Sequence, residues 1–179
     1  GASDFFCTAE INGFLVIVNG FDDPMYYDGA TLRTGVTSGS CGTNQITSAK
    51  FVFNYHQQVV FLMPTVSGGY KPNVAQWSVP NPDLSDVDSW DNGLGYATCP
   101  ASRFFVAAGW LGGSLIAYNE DAVYELEWRD DCRDPMRWNR IALGDGAVAQ
   151  RSMAEMLGRT YMLGQFRLIG TDGQTLAAA

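Results

Sequence analysis

Short apolar runs separated by Gly, Asn, Asp and Pro set the rhythm of this chain, and the pattern of apolar strand, tight turn and apolar strand occurs four times. The first copy, FFCTAEINGFLVIVNG at residues 5–20, places Asn12-Gly13 between two apolar runs. That dipeptide suits a type I′ hairpin turn, which needs positive φ at both central positions. The second copy is FVFNYHQQVVFLMP at residues 51–64, turning at His56-Gln57-Gln58. The third is FFVAAGWLGGSLIAYN at residues 104–119, turning at Gly112-Gly113, and the fourth is SMAEMLGRTYMLG at residues 152–164, turning at Gly158-Arg159. Turn to turn, the intervals are about 44, 55 and 46 residues.

A third apolar run follows each hairpin: MYYDG, NVAQWS, AVYELEW and FRLIG. A fourth is clearest in RWNRIAL at residues 137–143. Each repeat therefore predicts about four strands, which is the content of a propeller blade. The expected fold is all-β, a propeller-like array of about four antiparallel four-stranded blades in one domain over 1–179, with repeats 1–45, 46–98, 99–147 and 148–179. The element Asp28-Gly29-Ala30-Thr31-Leu32 returns as Asp172-Gly173-Gln174-Thr175-Leu176, 144 residues on, or three intervals of 48. It reads as the turn from a blade's third strand to its fourth. Gly29 and Gly173 permit positive φ, and Asp28 and Asp172 accept hydrogen bonds from the turn's own amides.

Composition supports a core. The chain is 46% hydrophobic and 13% aromatic, and its 20 glycines and 7 prolines favour short strands over long helices. Its net charge of −8, with only Lys50 and Lys71 as lysines, is the opposite of a phosphate-binding surface. No apolar run approaches the ~20 residues that cross a bilayer as a helix, so no membrane span is expected. The sequence opens Gly1-Ala2-Ser3 without an initiator Met and stops in three alanines, as a processed, truncated or partial chain would.

The residues that carry chemistry are few. Cys7, Cys41, Cys99 and Cys132 contain no C-x-x-C pair; they read as small core hydrophobes, with one bridge in each half as the other reading. The only histidine, His56, falls in a hairpin turn. Asp83, Asp86, Asp88 and Asp91 cluster with spacing that does not match a helix-loop-helix calcium loop, and they read as a solvated acidic loop. No catalytic residue, cofactor site or metal site is expected. Trp77 and Trp90 bracket one acidic, Pro-containing loop, and Trp128 and Trp138 bracket another. With Trp110 they serve as core packing, or, in a lectin-like alternative, as glycan-stacking rings.

From Trp77 onward the text resembles the β-propeller structural proteins of tailed bacteriophages, those of the head-to-tail junction or of the tail tube and nozzle. The likeness lies in Trp77-Ser78 followed by an Asp-Pro-rich loop and Trp90, in residues 111–127, in residues 144–147, in residues 152–158, and in Asp172-Gly173. NGFLVIVNGFDDPMYYDGATLR, near the start, is similar to an early blade of the same proteins. The resemblance implies a structural virion protein that forms a homo-oligomeric ring or tube with other virion proteins, with DNA only as cargo in the channel. An acidic wall makes no phosphate contacts for DNA to break as it passes. Such proteins are larger than this chain, so a longer subunit is also implied. The alternative is a glycan- or receptor-binding propeller module. In either reading the two ends of the array, residues 5–17 and 161–169, are expected to meet in ring closure or to be capped by other chains.

Overall fold

A computed structural model describes residues 5–34, 46–84, 95–131, 135–144, 146–149, 152–165, 167–172 and 176–178. Among the described residues there is no helix, and the strands form four antiparallel sheets in chain order. The first sheet is β1 (Cys7–Ile11), β2 (Phe14–Val18), β3 (Met25–Tyr27) and β4 (Leu32–Thr34). The second holds β5 (Ile46–Tyr55), β6 (Gln58–Val66), β7 (Gly69–Tyr70), β8 (Val74–Trp77) and β9 (Gly95–Thr98). The third is β10 (Ala107–Leu111), β11 (Ser114–Tyr118), β12 (Ala122–Trp128) and β13 (Met136–Leu143). The fourth is β14 (Met153–Met156), β15 (Arg159–Leu163), β16 (Leu168–Thr171) and β17 (Leu176–Ala178). Each is the meander of a propeller blade, with strands beside their neighbours in sequence except in the second sheet, where β8 pairs with β6 and β7 lies off the path, so the fold is the expected all-β array of four blade-like sheets.

Local backbone chemistry sets these meanders. The first hairpin of every sheet turns on two residues of positive φ: Asn12-Gly13 (51° and 80°), His56-Gln57 (49° and 60°), Gly112-Gly113 (58° and 91°) and Leu157-Gly158 (55° and 72°). All four are two-residue turns whose twist matches the flanking strands. The fourth lies one residue earlier than the expected Gly158-Arg159. The register that sets Met153 opposite Met162 makes Arg159 the partner of Met156 and leaves Leu157 in the turn, 92% exposed.

The second sheet has five strands instead of four. β6 runs past its pairing with β8, which ends at Leu62, so Thr65 and Val66 present a free edge. β7 folds back onto that edge through a further turn at Ser67-Gly68, with φ of 49° and 78°.

The first hairpins of the first and third sheets match residue for residue at a spacing of 100. Cys7 pairs Val18 and Ile11 pairs Phe14, as Ala107 pairs Tyr118 and Leu111 pairs Ser114. The match extends into the next turn. Asn19 Oδ1 accepts from the amides of Phe21 and Asp22, and Asn119 Oδ1 from those of Asp121 and Ala122.

The chain divides into two compact units, Gly1–Thr98 and Cys99–Ala179. In the first, Ile11, Val16, Val18 and Tyr26 of one sheet pack with Ala49, Val52, Val59 and Phe61 of the next. Polar contacts fasten the same seam: Cys7 Sγ lies 3.5 Å from both the carbonyl oxygen and the amide of Val52, and Asn54 Nδ2 donates to the Glu10 carbonyl at 2.9 Å. In the second unit, Ala107, Leu111, Ile116, Tyr118 and Val123 pack with Met162 and Ile169, and Thr160 Oγ1 donates to the Trp110 carbonyl at 3.4 Å. The 100-residue match puts Ile11, Val16 and Val18 on the same sheet face as Leu111, Ile116 and Tyr118. In both units, therefore, the earlier sheet offers one face, called forward here, to the opposite, rear face of the later sheet.

Candidate functional site

Asp28 sits in the turn that the sequence singles out. Its Oδ1 accepts from the amides of Thr31 at 2.7 Å and Ala30 at 2.9 Å. Arg33 Nη2 stands 3.5 Å from the other carboxylate oxygen. Gly29 has φ of 92°, and the Tyr27 hydroxyl donates to its carbonyl at 2.6 Å. Hydrogen bonds from Thr31 and Ala30 hold the Asp28 carboxyl below its ordinary range, with the Arg33 charge a smaller contribution that partial desolvation opposes. The group is occupied with closing its own turn. Asp172 follows β16 at the corresponding place, while Gly173 lies outside the described residues.

The tryptophans separate into two kinds. Trp77 is 3% exposed and pairs across the ladder with Gly95, whose missing side chain leaves room for the indole. Trp138, 6% exposed, packs against Phe105 at 4.9 Å between ring centres, and Phe105 in turn against Tyr124 at 5.9 Å. Neither indole offers a face on which a sugar could stack. Trp110 and Trp128 are half-buried, and Trp90 lies outside the described residues.

The titratable groups are not gathered into one place. His56 is exposed in its turn with its ring edge-on to Tyr55 at 4.5 Å, and partial burial lowers its pKa. Cys99 is a buried thiol pushed up to about 12 by burial. Burial likewise pushes Tyr118 to about 12. The Tyr118 hydroxyl is buried beside Thr160 in a geometry that makes no proper hydrogen bond. Asp83 is exposed, whereas Asp86, Asp88, Asp91, Cys41 and Cys132 lie outside the described residues. Among the described residues no three His, Cys, Asp or Glu side chains are placed to share a metal ion, and no helix is long and apolar enough to cross a membrane.

What the structure does bring together, beyond the residues singled out in the sequence, is exposed apolar surface on the first and fourth sheets. On the rear face of the first sheet, Leu15, Tyr27 and Leu32 are 36%, 38% and 56% exposed, and strand pairing aligns them across β2, β3 and β4. On the forward face of the fourth, Met156, Leu163 and Leu168 are 56%, 49% and 47% exposed. The signal was present in the sequence. FLVIV, residues 14–18, is apolar without alternation, as in a strand covered on both faces, yet only one of its faces is covered. The chain matches no protein-family profile and no curated protein.

Proposed function

We propose that this protein is a non-catalytic structural subunit of a tailed-bacteriophage virion, built into the tail tube, nozzle or head-to-tail junction around the DNA channel. The observation that carries the reading is the exposed apolar surface of the two end sheets. The same positions in the middle sheets are buried, and faces of this character mark association surfaces. The blade-like sheets, the acidic balance and the resemblance of the segments from Trp77 onward support the same setting. Localisation tests it. Antibodies against the purified chain are expected to label purified tailed-phage particles that encode it, at the tail or the head-to-tail junction; intact particles that lack the chain overturn the reading.

The glycan-binding alternative rests on Trp110 and Trp128, since Trp77 and Trp138 are buried. A glycan array in which the purified chain binds an oligosaccharide, and loses it on Trp110→Ala or Trp128→Ala with the fold intact, would favour that alternative.

A further inference from the structure

We infer that the rear face of the first sheet, with Leu15, Tyr27 and Glu10, docks on the forward face of the fourth sheet, with Leu163, Leu168 and Arg159, of a second copy of this chain. The inference deepens the assembly reading above but rests on packing alone, so it can stand or fall separately.

Three observations carry it. The first is the packing rule found inside each unit, where a forward face seats on the rear face of the next sheet. On the rear face of the first sheet Leu15, Tyr27 and Leu32, and on the forward face of the fourth Met156, Leu163 and Leu168, complementary members of that rule, are exposed. The second is position-by-position equivalence. Leu15 corresponds at a spacing of 100 to Leu115, which is fully buried. Leu163 and Leu168, paired across β15 and β16, correspond to Tyr118 and Val123, paired across β11 and β12 and likewise fully buried. The end faces thus keep an apolar character that the chain elsewhere encloses, which argues for an occupant with the same blade geometry.

The third observation is charge. Glu10 lies on the rear face of the first sheet and Arg159 on the forward face of the fourth, both exposed, and neither is in an ion pair among the described residues. Arg159 directly follows the tight turn of its sheet's first hairpin, and Glu10 lies one pair further from its own. Within the units, adjacent sheets make contact at that end as well as farther along: Asn54 reaches the Glu10 carbonyl, and Thr160 reaches the Trp110 carbonyl. Seating a fourth sheet on a first sheet by the same rule brings opposite charges to the same end. Because the two faces differ, the contact is head-to-tail, and it propagates into a ring where the rotation between copies closes and into a filament where it does not.

Complementary blocking tests the inference. Leu15→Asp blocks the first-sheet face and Leu163→Asp blocks the fourth-sheet face, each at an exposed position, with circular dichroism and thermal unfolding as fold controls. In sedimentation velocity the wild-type chain is expected to self-associate, each variant alone to stay monomeric, and their equimolar mixture to form a 1:1 dimer that grows no further. Glu10→Arg and Arg159→Glu are each expected to weaken association by about tenfold, and a chain carrying both to recover it. These two variants also stand in should an Asp variant fail to fold. A wild type that stays monomeric at every concentration overturns the inference. So does a Leu15→Asp chain that dimerises alone, which would show a symmetric contact between fourth sheets, or cross-linking of the two faces within one chain. Association that follows this pattern in a protein missing from phage particles would leave the interface standing and remove the virion setting.

Discussion

Tyr118 is a residue at which the fold carries a local penalty. Its ring belongs to the core of the second unit, but its hydroxyl is buried there without a well-formed hydrogen bond. Desolvating a hydroxyl uncompensated costs on the order of 1–3 kcal/mol, so Tyr118→Phe, which keeps the ring, is expected to stabilise the protein by about 1 kcal/mol in urea denaturation. Asp28 works in the opposite sense. Its carboxyl is held below the ordinary 3.8, so its charged form contributes stability above that value and loses it as pH falls further. Wild-type protein is expected to lose more stability than Asp28→Asn between pH 5 and pH 2 in thermal melts at stepped pH, because the amide keeps an acceptor but no titrating charge. At this scale the sequence spoke clearly for Asp28, because an Asp before Gly in a turn carries its own hydrogen-bond logic. It was silent on Tyr118, whose hydroxyl is stranded by packing between residues 42 positions apart.

At the scale of elements, two glycines fix how strands meet. A Cβ on Gly146 would lie within bonding distance of the Asn119 carbonyl oxygen, and Asn119 is itself held by its side-chain bonds to the amides of Asp121 and Ala122. Neither backbone can yield cheaply, so Gly146→Ala is expected to destabilise by about 2–3 kcal/mol. At Gly109 a Cβ would meet only the terminal methyl of Met153, which can rotate away, so Gly109→Ala is expected to cost under about 1.5 kcal/mol. Equal losses in chemical denaturation would contradict this account. The hairpins were legible because their turns demand left-handed residues, and Asn-Gly and Gly-Gly advertise them. β7 was not, since Ser67-Gly68 resembles loop until β6 is known to overrun its partner. Nor was the exact fourth turn, where pairing of Met153 with Met162 places a leucine in a conformation its own chemistry disfavours.

Across the whole molecule, Cys99 reports on integrity. Its thiol and the Tyr118 phenol have ordinary values of 9.0 and 10.0, and both are raised to about 12 in the folded protein. The unfolded chain therefore ionises first, and the stability that these neutral groups contribute is full below pH 9 and declines as pH rises towards 12. A Cys99→Ala, Tyr118→Phe double variant is expected to show a flatter alkaline limb than wild type in urea titrations at stepped pH. In peptide-resolved thiol labelling at pH 8, Cys99 is expected to react only at the rate at which its surroundings unfold. The blade count was legible in the sequence because each sheet is a local meander. The exposed end faces were legible only in part: FLVIV announced a strand made to be covered on both sides, but nothing in one linear text shows which covers are supplied from within.

The β5–β6 hairpin is the longest ladder among the described residues, with Val59–Met63 almost wholly enclosed, and it closes through His56-Gln57, two side-chain-bearing residues in left-handed geometry. A turn that is slow to find and a ladder that is rewarding once formed make a natural kinetic nucleus, on which the neighbouring meander condenses afterwards. In stopped-flow refolding, Val60→Ala is then expected to slow folding by most of its equilibrium destabilisation, whereas Val16→Ala in the first sheet should chiefly speed unfolding. The order in which this chain acquires its shape would thus run outward from its second sheet, leaving the rear face of the first among the last surfaces to become competent for a neighbour.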